Sequence, residues 1–169
     1  MGIRTGQQYL DKLNSMRPHI TIDGEVVSEN LTEHPAFTNV AHTYAKLFDM
    51  QHDPEYADAL TFDSPTTGDK VGVSFLIPRT IEDLEHRRAG IQVWAEYSNG
   101  FLGRTGDYMN SSLTALAAAE KWFSQAGPEF GERIRKYHEL ARENDLLATH
   151  PLIPPQVNRS VSGSEQLGG

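Results

Sequence analysis

Phe37, Val40, Ala41, Tyr44, Leu47 and Phe48 recur at helical intervals, so the stretch from Pro35 to about His52 is an amphipathic helix with one apolar stripe to bury. Pro35 suits a first helical turn, and His52-Asp-Pro-Glu closes the segment. Other stretches carry helix signals of the same kind. Thr5 and Gln8 form a capping-box pattern ahead of the apolar face Tyr9, Leu10 and Leu13, and Pro18 stops that helix. Thr80 and Asp83 open a helix over 78–94, with Leu84, Ile91 and Trp94 or Ala95 inward and the charge-rich 82–88 run in water. Residues 108–125 are helical and rich in alanine. Gly127-Pro128 then opens a last helix whose seam is Phe130, Ile134, Tyr137 and Ala141. Strand signals are sparse. Residues 19–22 and 25–27 flank Asp23-Gly24, which supplies the positive φ of a type I′ turn. Residues 59–62 and 71–76 flank a second turn-rich connection. The fold class predicted is mainly α with small β-hairpins.

A length of 169 residues supports one domain with its own core. Lys and Arg total 15 against 23 Asp and Glu, a net charge of −8 that repels phosphate backbones and argues against a nucleic-acid partner. With no cysteine, the chain itself offers no disulfide, thiolate nucleophile, zinc–cysteine site or iron–sulfur ligand. The longest apolar run, 113–119, is interrupted by Thr114 and is far too short to cross a bilayer. The opening Met1-Gly-Ile-Arg-Thr lacks the apolar core of a secretory signal. A soluble, cytoplasmic protein without membrane contact is the expectation. The texture changes after Asn144: the prolines of 149–159 forbid a helix and predict an extended strip. The organisation expected is a helical domain over 1–148 and an extended linker over 149–169, which ends like an interruption.

Most chemistry-bearing residues read as structural. The seven histidines show no His-Glu-x-x-His spacing; His42 and His138 lie beside polar helix faces, His86 lies in a charge run, and all are expected at the surface. No metal site is predicted. Gly68-Asp-Lys-Val-Gly lacks the spacing of a phosphate loop, and no Gly-x-Ser-x-Gly elbow occurs. Tyr44, Phe48, Trp94 and Trp122 are expected in the core. Two segments stand out. In Gly103-Arg-Thr-Gly-Asp-Tyr-Met-Asn110, Arg104 and Tyr108 stand a helical turn apart, so a guanidinium and a phenol can aim at one small anionic or phenolic ligand. The strip from Thr149-His150 to Arg159 offers an imidazole, an amide, a guanidinium and unpaired backbone groups that suit a ring cofactor. Ordinary connecting loops use the same residues, so spacing alone leaves both readings open.

These segments also carry a resemblance. Arg4-Thr-Gly-Gln-Gln-Tyr-Leu10, Ile22-Asp-Gly-Glu25, Thr32-Glu-His-Pro-Ala-Phe37, Ser74-Phe-Leu-Ile-Pro-Arg79, Gly103-Arg-Thr-Gly-Asp-Tyr108 and Thr149-His150 through Gln156-Val-Asn-Arg-Ser160 follow one another in the order and spacing of a known family. The chain resembles the N-terminal domain of the 4-hydroxyphenylacetate 3-hydroxylase family, the oxygenase component of two-component flavin monooxygenases. The resemblance implies the N-terminal helical domain of an acyl-CoA-dehydrogenase-like flavoprotein fold, with a middle β domain and a C-terminal helical bundle elsewhere, in the same or a split chain. It implies FAD, delivered as FADH2 by a separate NAD(P)H:flavin reductase, and O2 as co-substrate. It further implies hydroxylation of a phenol ortho to its hydroxyl by a flavin C4a-hydroperoxide, in an enzyme that is a homo-oligomer when complete.

By the same resemblance, Arg104, Tyr108 and His150 hold the substrate hydroxyl, and His150, Gln156, Val157, Asn158 and Arg159 contact the flavin. Two departures bear on this. Pro154 and Asn158 stand where the family commonly has Asn and Asp, removing an N–H donor and a carboxylate from the flavin stretch. Thr105-Gly106 replaces the more usual Ser-Pro, which loosens the turn before Tyr108. Two alternatives were weighed. A 4-hydroxybutyryl-CoA dehydratase-like flavoprotein is disfavoured because its iron–sulfur cluster needs cysteine. A non-catalytic helical interaction fragment is opposed by the joint presence of Arg104, Tyr108 and His150.

Overall fold

The computed structural model describes residues 2–16, 18–100, 106–149, 160–162 and 165. Helix α1 (Gly6–Ser15) begins where the Thr5 hydroxyl accepts from the Gln8 N–H and the Gln8 side chain answers the Thr5 N–H, the reciprocal cap expected from sequence. It packs across α2 (Thr38–Met50) at its first turn, where Gly6 donates its N–H to Asp49 Oδ1 at 2.7 Å. A Cβ on Gly6 would collide with the Ala45 carbonyl, so this crossing requires glycine. Tyr9, Ala45 and Phe48 form the first apolar cluster, with Leu147 packed against it from the far end of the chain. The hairpin β1 (Ile20–Ile22) and β2 (Glu25–Val27) pairs Ile20 with Val27 around Asp23 and Gly24, both at positive φ, as the type I′ reading requires.

Helix α2 starts at Thr38, not at Pro35, because the His34 carbonyl first closes a turn over Pro35 by accepting from Phe37 and Thr38. Its buried face then joins Leu60 in a second apolar cluster with Leu47 and Met50. The second predicted hairpin is shorter and shifted. Residues 57–60 wind into α3 (Ala57–Leu60), followed by β3 (Thr61–Asp63) paired with β4 (Lys70–Gly72). Residues 73–75, predicted as strand, form a single 3-10 turn instead. The reason is visible in its acceptors: Arg87 Nη1 takes the carbonyls of Val73, Ser74 and Leu76, and Thr114 takes that of Ser74, so side chains do the work of a neighbouring strand.

Helix α4 (Ile81–Tyr97) opens on the predicted Thr80–Asp83 capping box. Its inward face matches the predicted one at Trp94 alone. Leu84 and Ile91 are exposed, while Gly90 sits where a Cβ would come within 2.5 Å of Val73 Cγ1 and 2.9 Å of the Ala59 carbonyl. Close approach at Gly90 turns Arg87, Gly90, Val93 and Trp94 toward α3 and the 3-10 turn, which rotates Leu84 and Ile91 outward.

The helix predicted over 108–125 is broken into α5 (Gly106–Ala118) and the short α6 (Glu120–Phe123). Trp122 on α6 is 66% exposed, not core, and meets Phe123 edge-on at 4.9 Å. Helix α7 (Pro128–Glu143) keeps only part of its predicted seam inward: Ala141 is buried and Ile134 half-buried, Gly131, His138 and Arg142 are buried with them, and Phe130 and Tyr137 are exposed. The polar residues can turn inward because they find partners. Arg142 Nη2 donates to Thr66 Oγ1, and the adjacent Glu143 accepts from the hydroxyls of Ser64 and Thr67, so the 64–69 connection docks on α7 by hydrogen bonds. Among the described residues no helix is long and apolar enough to cross a membrane.

Candidate functional site

Of the predicted site residues, Tyr108 is placed by the structure. It lies on the first turn of α5 with its side chain 41% exposed. Residues further along the helix lock it in place. Asn110 Nδ2 donates to Ser74 Oγ at 3.3 Å, Arg87 Nη2 donates to Ser111 Oγ at 2.7 Å, and Thr114 Oγ1 donates to the Ser74 carbonyl at 3.0 Å. His138 completes this junction from α7. It is 2% exposed, and its Nε2 lies 3.1 Å from the Phe75 carbonyl, an acceptor only, so Nε2 carries the proton. Burial, reinforced by the nearby Arg142 charge, holds its pKa below the ordinary value and keeps it neutral. The surface expectation for His138 therefore fails, and the histidine is a structural donor. A signal was available: His138 falls between Ile134 and Ala141 on the very stripe that reads as a seam.

A second junction anchors the chain as it leaves α7. The Arg4 N–H donates to Asp145 Oδ2 at 3.0 Å, Gln51 Nε2 donates to the same oxygen at 2.9 Å, and the Arg4 guanidinium donates to the Asp145 carbonyl. That guanidinium also stands 4.6 Å from the centre of the Phe48 ring. Burial pushes the Asp145 carboxyl up, against the hydrogen bonds from Arg4 and Gln51 and the Arg4 charge, which pull the other way. Arg87, expected in water with the 82–88 run, is instead half-buried and hydrogen-bonded. Asn110 closes a segment read for Arg104 and Tyr108 alone, and Asp145 belongs to no motif. Arg104, His150, Gln156, Val157, Asn158 and Arg159 lie outside the described residues, so the expected convergence of Arg104, Tyr108 and His150 rests on the resemblance.

These two junctions define a helical framework whose ordered limbs lead directly to 101–105 and to 150–159. The class this framework defines is the N-terminal helical domain of an acyl-CoA-dehydrogenase-like flavoprotein fold. Residues 5–168 match the family described as "4-hydroxyphenylacetate 3-hydroxylase N terminal", and the chain belongs to that family. It is 41% identical over 166 residues to the 4-hydroxyphenylacetate 3-monooxygenase oxygenase component of Geobacillus sp., covering 98% of this chain and 33% of that protein. A crystal structure of such an oxygenase component, complexed with FAD and 4-hydroxyphenylacetate, matches with a TM-score of 0.86 and 40% identity over 96% of this chain and 33% of that one. The chain thus spans about a third of the length of these relatives. An archaeal 4-hydroxybutyryl-CoA dehydratase from N. maritimus shares the fold at a TM-score of 0.78 and 21% identity, covering 97% of this chain and 32% of that one.

Proposed function

We propose that this chain is the N-terminal part of a reduced-flavin-dependent monooxygenase that hydroxylates a phenol of the 4-hydroxyphenylacetate kind at the carbon beside its hydroxyl. The observation that carries the reading is family membership over residues 5–168, with the one placed member of the substrate set, Tyr108, presented at the edge of a locked helix.

The chemistry follows from the residues. A phenol has a pKa of about 10, and its ring is far more reactive toward electrophilic oxygen as the phenolate. Arg104 stabilises the negative charge on the substrate oxygen, Tyr108 donates a hydrogen bond to it, and His150 takes its proton. Bound FADH2 supplies two electrons to O2, so that one oxygen atom reaches the ring carbon and the other leaves as water. The described residues do not enclose such a cofactor by themselves. The cavity beside Gln51 measures about 20 Å³, and two mostly apolar surface grooves measure about 340 and 500 Å³, the larger carrying Gln125 and Arg133 as its polar side chains; none has the concave, largely closed form of a flavin site. By the family resemblance, the flavin contacts of this chain are assigned to His150 and to Gln156, Val157, Asn158 and Arg159. The rest of its site is assigned to the β and C-terminal helical domains that the family's longer members provide. Residues 1–148 form the helical domain, and 149–169 lead out of it.

A separate NAD(P)H:flavin reductase is the partner this scheme needs, and the complete enzyme is proposed to be a homo-oligomer. The test is turnover by the complete polypeptide as its gene encodes it, with FAD, NADH, a generic flavin reductase and a panel of phenols under 18O2. The expected result is an ortho-dihydroxy product carrying one labelled oxygen. Hydrogen peroxide as the sole product from every phenol overturns the reading.

A further inference from the structure

Gln51 at the end of α2, Trp94 on α4 and Asn110 on α5 line one small cavity of about 20 Å³, together with Asp145, Leu146 and Leu147. Gln51 is 2% exposed and Asn110 4%. Each commits its amide N–H elsewhere: Gln51 Nε2 to Asp145 Oδ2, Asn110 Nδ2 to Ser74 Oγ. That leaves Gln51 Oε1, Asn110 Oδ1 and Trp94 Nε1 as buried polar atoms without a hydrogen-bond partner among the described residues. Three such atoms on one cavity wall are a coherent set, because buried polar groups in folded proteins are almost always paired.

The donor set selects the occupant. A cation would face the Trp94 N–H, an anion would face two amide oxygens and the Asp145 carboxyl, and an apolar molecule would leave all three atoms bare. The volume admits about one water. Water donates twice and accepts at its lone pairs, which matches two acceptors and one donor. We propose that this cavity is a structural water site, in which one water donates to Gln51 Oε1 and Asn110 Oδ1 and accepts from Trp94 Nε1–H.

The site joins the elements that lead to both halves of the substrate pocket. Asn110 follows Tyr108 on α5, and the Asp145–Leu147 wall runs on through Thr149 to His150. Resting on the functional reading above, the water is a positioning device that sets α5 against the segment entering 150–159. Trp94→Phe removes the N–H and keeps an aromatic ring in the wall.

The test has two independent readouts on the complete oxygenase. A high-resolution crystal structure of the wild type is expected to show one well-ordered water within hydrogen-bond reach of all three atoms. A dry cavity, or the three atoms bonded directly to protein groups, overturns the site whatever the enzyme does. In Trp94→Phe the product formed per NADH oxidised is expected to fall by about threefold or more while flavin-dependent O2 uptake persists, since small misplacements of reacting groups are costly. An ordered wild-type water that Trp94→Phe displaces without change in coupling overturns the positioning role. A wild-type enzyme that holds the water but hydroxylates no phenol removes the functional reading and its positioning corollary, and leaves the water site standing.

Discussion

Arg4 and Asp145 are bound to each other at both backbone and side chain. The Arg4 N–H reaches the Asp145 carboxylate at 3.0 Å, and the Arg4 guanidinium reaches the Asp145 carbonyl through Nε, also at 3.0 Å. The pair closes the two ends of the described framework onto each other, with Gln51 and Phe48 of α2 as the surface between them. Removing the acceptor leaves the Arg4 and Gln51 donors buried and bare, so Asp145→Ala is expected to destabilise by about 2–4 kcal/mol. Equilibrium urea denaturation measures this, and a change below 1 kcal/mol, about the size of an exposed pair, would be incompatible with the junction described.

The same carboxyl gives a pH dependence whose sign is fixed by burial. Its folded pKa lies above the unfolded one, so the folded state favours the protonated form. The stability it contributes is fully present below the unfolded pKa of about 3.9 and is lost as pH rises through the folded value. Asp145→Asn, which cannot ionise, is expected to flatten that part of the stability–pH curve. Urea midpoints taken from pH 3 upward in both proteins report the difference.

Gly90→Ala sets helix propensity against packing. Alanine favours a helix interior by about 1 kcal/mol over glycine. Here its Cβ would stand 2.5 Å from Val73 Cγ1 and 2.9 Å from the Ala59 carbonyl, and the second atom is backbone. Overpacking of this kind costs about 1–3 kcal/mol, so the net expectation is a lower Tm, not a higher one. A rise in Tm would mean that α4 can move off the 3-10 turn freely.

What the sequence made legible was local. The capping boxes at Thr5 and Thr80 and the Asp23-Gly24 turn depend on neighbouring residues, and each formed as its spacing requires. The orientation of α4 and α7 was legible only at Trp94 and Ala141, because the rest is decided by partners remote in sequence. Gly90 turns α4 to suit Ala59 and Val73, hydroxyls at 64–67 let α7 bury Arg142, and the Phe75 carbonyl takes the buried His138, while Phe130 and Tyr137 stay exposed. An apolar stripe names a face that is able to be buried; these contacts decide which face is. For the candidate site the sequence offers blocks of residues shared with a family, of which the structure describes Tyr108 on the first turn of α5. The junctions of the framework around it, Arg87 with Ser111 and Arg4 with Asp145, carry no local pattern.

His138 gives a second titration of opposite sign. Its folded pKa lies below the unfolded value because burial disfavours the imidazolium. The stability it contributes is fully present above the unfolded pKa of about 6.5 and is lost as pH falls through the folded value. His138→Gln keeps a donor for the Phe75 carbonyl but cannot titrate. The variant is expected to lose less stability than the wild type between pH 7 and pH 5, read from urea midpoints at each pH. Parallel curves for the two proteins would place the acid sensitivity elsewhere.

The 169-residue chain by itself is expected to bind FAD weakly, with a Kd above about 10 μM. The cavities of the framework beside Gln51 and Arg87 are no larger than a water or so, and its larger hollows are mostly apolar surface grooves, whereas tight cofactor sites enclose most of the ligand. Flavin fluorescence titration decides it. Submicromolar binding would place a nearly whole flavin site within 150–169.

Under the proposed function, Arg104→Ala and Tyr108→Phe in the complete polypeptide would separate charge stabilisation from hydrogen bonding at the substrate oxygen. A hydrogen bond to a charged group is worth about 1.5–3 kcal/mol, so loss of the Arg104 guanidinium is expected to lower coupled hydroxylation by about tenfold or more. Loss of the Tyr108 hydroxyl removes a single uncharged donor to the same charged oxygen, leaving the guanidinium in place, and is expected to cost about tenfold. In both variants reduced flavin still reacts with O2, so NADH consumption continues and hydrogen peroxide takes the place of product. Product and peroxide measured together against NADH test the assignment. If coupling is unchanged in Arg104→Ala, the phenolate is stabilised by some other cation and Arg104 leaves the substrate pocket.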